Sequence, residues 1–184
     1  IVDISRWVIK TSLKQLNQWH KSGHKLTLQI NVSARDLEEP DLVDFIKQKI
    51  LKYQVNPSYV TLEITENLII SNPEIASKVL QQLRELGVGI SLDDFGTGYS
   101  SMTLLNQLPL SQIKIDSSFV QDMEHNKKHM TIVKSTLELG KSMGLEVVAE
   151  GVENAQQVQL FKQMEFPLTQ GYFLAKPMPV SKLN

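Results

Sequence analysis

Val60-Thr61-Leu62-Glu63-Ile64-Thr65 is the stretch on which the fold turns. Val60, Leu62 and Ile64 share one parity, and Thr61, Glu63 and Thr65 share the other. Strand side chains alternate between faces, so this segment reads as a strand with one apolar face and one charged face. The split recurs in Leu26-Leu28-Ile30 against Thr27-Gln29-Asn31, in Ile90-Leu92 against Ser91-Asp93, and in Ile113-Ile115 against Gln112-Lys114-Asp116. A parallel strand covered on both faces should instead read as nearly continuous apolar residues. Asn31, Glu63, Asp93, Lys114, Glu150 and Gln170 stand at or near the ends of six successive predicted strands. Charge is costly to bury unless it is paired or bound to metal. These carboxylates, amides and single lysine therefore point to a metal-dependent site.

Working outward, the chain alternates strand and helix. Strands are predicted near 25–32, 60–65, 89–94, 112–116, 146–150 and 168–172, and helices near 1–21, 40–54, 73–86, 100–107, 127–143 and 154–164. Asn72-Pro73-Glu74 supplies a cap, a helix-compatible proline and an early acid, and Gly87 follows the last turn. Pro40-Asp41 opens one helix, and Ser22-Gly23 closes the first, whose loose apolar stripe is Ile4, Val8 and Leu13. Alternating βα units imply a parallel sheet under helical cover. Functional side chains at the ends of many strands favour a barrel over an open sheet, which gathers its site at one switch point.

At 184 residues the chain suits one domain with a sizeable core, and no internal repeat or linker is visible. A net charge of −1 gives no bulk electrostatic case for a nucleic acid polymer or an anionic membrane. The chain has no cysteine, which excludes disulfides and thiolate metal sites and fits a cytoplasmic setting. No apolar run approaches the roughly 20 residues of a membrane span. The first residue, Ile1, is not methionine, so the chain reads as part of something longer.

Asp93-Asp94-Phe95-Gly96-Thr97-Gly98-Tyr99-Ser100-Ser101 is the sharpest motif. Two adjacent acids end a strand, and a glycine-rich loop leads into a helix. One Asp would serve as a helix cap, but a second needs another reason. On an extended strand the two point to opposite faces, so both reach one ion only if the backbone bends, and two neighbouring ions are the attractive reading. Hard oxygen donors such as Asn31, Glu63 and Asp93 suit Mg2+ or Mn2+. Lys114, between β-branched residues, is expected to be buried against a carboxylate, either Asp116 or another acid. Glu150-Gly151-Val152-Glu153 places an acid at a strand end beside a glycine that allows close approach. Gln170-Gly171-Tyr172, followed by Lys176-Pro177, closes the series. The histidines, His20, His24, His125 and His129, read as solvated surface residues.

These segments, in this order and spacing, resemble the EAL domain family of cyclic di-GMP phosphodiesterases over essentially residues 1–184. The resemblance implies a TIM-like (β/α)8 barrel, two divalent cations and hydrolysis of one phosphodiester of cyclic di-GMP to linear pGpG. Carried over by position, Asn31, Glu63 and Asp93 resemble ligands of one metal, with Asp93 bridging to a second. Asp94 resembles a ligand of that second metal, and Glu150 a ligand or base beside it. Lys114 resembles the residue that orients the attacking water, Glu153 the glutamate that steadies the glycine-rich loop, and Gln170 a group touching water or substrate. The family's Glu-Ala-Leu stretch, with a metal-ligating glutamate, a phosphate-binding arginine and two strands, would lie upstream of Ile1. Residues 1–184 alone would then lack the first two strands of the barrel and turn over little substrate, with the strands near 25–32 and 168–172 bordering the gap. A homodimer, fusion to sensory or GGDEF domains, and a membrane anchor elsewhere in the parent are compatible. Two alternatives stay open: a catalytically inactive EAL module acting as cyclic di-GMP receptor or scaffold, and a barrel enzyme acting on another phosphoester. Retention of the acids at 63, 93, 94 and 150 favours the enzyme.

Overall fold

The computed structural model describes residues 2–71, 73–98 and 102–183. The Asn72 cap and the Tyr99-Ser100-Ser101 end of the glycine loop lie outside the described residues. The chain divides into two compact units, residues 1–93 with 98–111, and residues 94–97 with 112–184.

In the first unit, α1 (Val2–Lys21) leads to β1 (Leu28–Asn31), α2 (Ala34–Leu37), α3 (Leu42–Tyr53), β2 (Val60–Thr65), α4 (Glu66–Ser71), α5 (Pro73–Glu85), β3 (Gly89–Phe95) and α6 (Met102–Gln107). The strands run parallel in the order β1-β2-β3. Their core face is Ile30, Val60, Leu62, Ile64, Ile90 and Leu92, all buried. Ile9, Leu13 and Leu16 of α1, Ile46 of α3 and Leu80 and Leu83 of α5 are buried as well, and α1 packs on β1 and α3. The apolar stripe of α1 is thus Ile9-Leu13-Leu16, not Ile4-Val8-Leu13, and Ile4 is 66% exposed. Ile9, Leu13 and Leu16 keep the i, i+4, i+7 spacing of one helical face, whereas Val8 and Leu13 are five residues apart and fall off it. Arg6 anchors this helix to the start of α3. Its guanidinium donates to both oxygens of Asp41, at 3.0 and 2.5 Å, and holds that carboxyl below its usual range chiefly through the hydrogen bond.

The second unit runs β4 (Gln112–Ile115), α7 (Ser117–Val120), α8 (Lys127–Met143), β5 (Glu146–Ala149), α9 (Ala155–Gln163) and β6 (Leu168–Thr169), again parallel and in chain order. Its core joins Ile115, Val120, Met123, Val133, Leu137, Val147, Ala149, Val152 and Phe161. Gly140 lets α8 close on β5: a Cβ there would stand 2.1 Å from Cγ2 of Val147.

Sequential parallel order within each unit is the βα arrangement of TIM-type barrels, so the α/β class holds. The differences are local. The sixth strand stops at Thr169 rather than reaching Tyr172, because the chain turns there, with Leu174 and Ala175 N–H groups donating to the Gly171 carbonyl. The short helices α2, α4 and α7 are too brief for a periodic signal. Two histidines are half-buried and make specific contacts. His20 bonds the Leu26 carbonyl at 2.8 Å and meets Tyr59 edge-on. His129 pairs with Asp122 and meets Phe119 edge-on.

Candidate functional site

The first unit aligns its polar residues by register. Asn31 lies level with Glu63, and Thr65 lies level with Asp93. Glu63 and Thr65 are two residues apart, so all of these side chains share the face opposite Leu62 and Ile64. Parallel strands lie about 4.8 Å apart, which makes Asn31 and Glu63 lateral neighbours. Glu63 is 6% exposed, whereas Asn31 is exposed and Asp93 half-buried. The chain is fixed just after Asn31. The Val32 N–H donates to the Glu63 carbonyl at 2.9 Å, and Ser33 and Asp36 form a capping box. Ser5 of α1 donates to the same Asp36 carboxylate at 2.9 Å. A cavity of about 620 Å3 opens here, with Asn31, Ser33, Asp36 and Thr65 in its lining.

One residue that sequence reasoning passed over belongs to this cluster. Glu66, the first residue of α4, is 2% exposed, and neither carboxylate oxygen has a hydrogen-bond partner among the described residues. Gly98 of the glycine loop rests against it: a Cβ there would lie 2.9 Å from Glu66 Oε2. A buried carboxylate without a partner is costly, so its presence needs a reason. Its only signal in the sequence was its place three residues after Glu63, in Glu63-Ile64-Thr65-Glu66.

In the second unit, Lys114 of β4 lies level with Val148 of β5, and Glu150 follows two residues later on the same face. The Lys114 ammonium meets Glu150 Oε1 at 2.5 Å, with side chains 4% and 19% exposed. Between Asp116 and another acid, register decides for the other acid, Glu150. Asp116 turns to cap α7, accepting from the Ser118 N–H at 3.0 Å. The ladder continues past the strand ends through Glu150 N–H to Ile115 O at 3.2 Å and Gln170 N–H to Ala149 O at 2.8 Å. Leu168 is level with Val148, so Gln170 arrives level with Glu150. Glu150, Glu153, Gln170, Tyr172 and Lys176 are among the residues lining a cavity of about 540 Å3. The Glu153 side chain is exposed at its rim.

Asp94 resolves the question of the adjacent acids. Its φ is +56°, so the backbone leaves the extended conformation immediately after Asp93. Left-handed backbone is uncommon for a residue with a side chain, although Asp tolerates it better than most. The Asp94 carbonyl then closes a turn, accepting from the Thr97 N–H at 3.3 Å and its hydroxyl at 2.9 Å. Gly96, at φ +97°, lies on the ring of Phe119, where a Cβ would come within 3.1 Å.

Gly171 carries a prediction of its own. A Cβ there would stand 2.1 and 2.2 Å from the backbone O and N of Val152, atoms that cannot swing aside. Gly171→Ala is expected to cost about 2–3 kcal/mol, seen as a lower melting temperature. An unchanged melting temperature would mean that the two segments are not held together as described.

Carboxylate, carboxamide and amide oxygens are the donors that Mg2+ and Mn2+ prefer. The orphaned oxygens of Glu66 and the burial of Glu63 fit a nearby cation. Among the described residues no group of three or more acids or histidines already converges at metal-holding distance. No helix among them is long and apolar enough to cross a membrane.

The sequence profile of the EAL domain matches residues 1–177. Signaling protein YkoW of Bacillus subtilis is 41% identical over 179 residues, covering 97% of this chain and 22% of that protein. The bifunctional diguanylate cyclase/cyclic di-GMP phosphodiesterase MucR of Pseudomonas aeruginosa is 36% identical over 184 residues, covering 100% of this chain and 27% of that protein. The chain therefore spans about a quarter of the length of these relatives. The solved MucR phosphodiesterase in complex with cyclic di-GMP superposes with a TM-score of 0.95 at 36% identity, covering 100% of this chain and 75% of that one.

Proposed function

This chain belongs to the EAL domain family, and from that premise we propose that its protein hydrolyses cyclic di-GMP to linear pGpG with the help of two divalent ions, Mg2+ or Mn2+. The observation that carries the reading is the Lys114–Glu150 pair, in which Lys114 is buried and Glu150 lines a cavity together with Glu153 and Gln170. A buried ion pair seldom repays its desolvation, so its place at a strand end argues for use rather than stability.

Each unit supplies a distinct donor set. Asn31, Glu63 and Asp93 offer one amide and two carboxylates on a single face. Asp94 and Glu150 offer the carboxylates of a second set. Divalent ions held there would lower the pKa of a water and stabilise charge on the attacking and leaving oxygens. Lys114 donates hydrogen bonds only, so it orients a water through that water's lone pair. Glu150 fixes the ammonium and stands ready to accept a proton from the same water. Gln170, level with Glu150, offers an amide to water or substrate, and Glu153 lies at the rim where substrate enters. Glu66, beneath Gly98, supports the glycine loop alongside the role the family likeness gives to Glu153. A cytoplasmic setting and fusion to further signalling domains belong to the same reading.

The test is a substrate panel. With Mn2+ present, cyclic di-GMP should be linearised, while cyclic AMP, cyclic GMP and bis(p-nitrophenyl) phosphate are turned over at least about a hundredfold less efficiently, roughly 2.7 kcal/mol of discrimination. Equal turnover of all four would replace this reading with a general phosphodiesterase. Cyclic di-GMP bound but not cleaved would replace it with a receptor.

A further inference from the structure

We propose that Gln157 is a positioning residue: its side chain clips the loop that carries Glu150 and Glu153 to the segment that follows Lys114, and so holds Glu150 in register with Lys114. The proposal rests on the phosphodiesterase reading above. Gln157 is 1% exposed, and its carboxamide is used at both ends. Oε1 accepts from the Glu153 N–H at 2.8 Å. Nε2 donates to the carbonyls of Val120 at 3.1 Å and Gln121 at 3.2 Å. Both amide hydrogens are thereby used.

Helix formation does not require this arrangement. Asn154 already caps α9, accepting from the Gln157 N–H at 2.9 Å. The side chain reaches outside its own helix instead, to carbonyls at the end of α7 where helical partners run out. That short helix begins two residues after β4, the strand bearing Lys114. The loop is held at further points. Gly151, at φ +73°, sits on Ser117, where a Cβ would come within 2.5 Å of the serine Cβ. The Val152 N–H donates to the Gln170 carbonyl at 3.0 Å. The Gly151 and Gln157 attachments thus both lead to the segment after β4. Without the Gln157 clip, the Glu150 end of the pair rests on fewer restraints, and misplacement of a reacting group by about 1 Å can cost about a hundredfold in rate.

Gln157→Met keeps the approximate volume and removes every side-chain hydrogen bond. In the purified protein it is expected to lower kcat for cyclic di-GMP at least about tenfold while KM stays within about threefold, since alignment rather than affinity is lost. Rates are taken below the melting transition of each variant, so that they refer to folded protein. Gln157→Glu supplies the readout that a purely structural role would not move. Burial raises a carboxyl pKa, and the protonated acid donates to one carbonyl while accepting from the Glu153 N–H. Its kcat should therefore approach wild type at low pH and fall as the acid ionises, a step absent from the wild-type profile. If Gln157→Met is too unstable to assay, the Gln157→Glu profile decides alone. A folded Gln157→Met with wild-type kcat, or a Gln157→Glu profile that parallels wild type, would overturn the positioning role and leave the enzymatic reading standing. A wild-type protein that does not cleave cyclic di-GMP would overturn both.

Discussion

Asp93→Asn is expected to lower cyclic di-GMP turnover at least about a thousandfold, about 4 kcal/mol of transition-state stabilisation, while leaving the fold intact. Asp93 ends the described strand run of the first unit on the same face as Glu63 and Asn31. It is half-buried and makes no part of the apolar core, so the isosteric amide should be accommodated. The amide lacks the negative charge that a divalent ion selects, and it offers one oxygen in place of two. Turnover, circular dichroism and melting temperature measured together separate lost chemistry from lost structure. Near-normal turnover with an unchanged spectrum would end the two-metal reading.

The second large effect concerns stability as well as rate. Glu150→Leu leaves the Lys114 ammonium, 4% exposed, without the carboxylate that stands 2.5 Å from it. Breaking a buried pair by removing one partner typically costs about 3–5 kcal/mol. Urea unfolding should show that loss, and turnover should vanish. The double variant Lys114→Met with Glu150→Leu removes both charges at once. It should recover most of the stability and none of the activity, because a well-packed apolar pair often matches a buried ion pair. The cycle isolates the coupling between the two side chains. A Glu150→Leu variant as stable as wild type would show that the pair contributes nothing to stability.

Much of this was legible in residue parity. The alternation in Val60–Thr65 separated the buried Leu62 and Ile64 from Glu63, and the same rule placed Asn31 and Asp93 on its face. What parity could not supply was the partner across a strand pair. Lys114 had Asp116 two residues away and Glu150 thirty-six residues away, and the register of β4 against β5 brings the distant one into contact. Asp116 was withdrawn by a local competitor, the N–H and hydroxyl of Ser118 at the start of α7. Glu66 was obscured for a different reason. Nothing local in the sequence marks it as buried, and in the fold Gly98 rests against its carboxylate. Gln156 and Gln157 are chemically identical in the sequence. Only the face of α9 that carries Phe161 four residues on distinguishes the exposed one from the clip. The bend at Asp94 was similarly open, because Asp is among the few residues that tolerate either conformation.

The central claim is most directly tested by chromatographic analysis of cyclic di-GMP incubated with the purified full-length protein and Mn2+, with and without excess EDTA. The account predicts that linear pGpG accumulates as the product, that EDTA stops it, and that renewed Mn2+ restores it. Cyclic di-GMP recovered intact in the presence of Mn2+, from full-length protein that calorimetry shows to bind it, would contradict the account and make the protein a receptor.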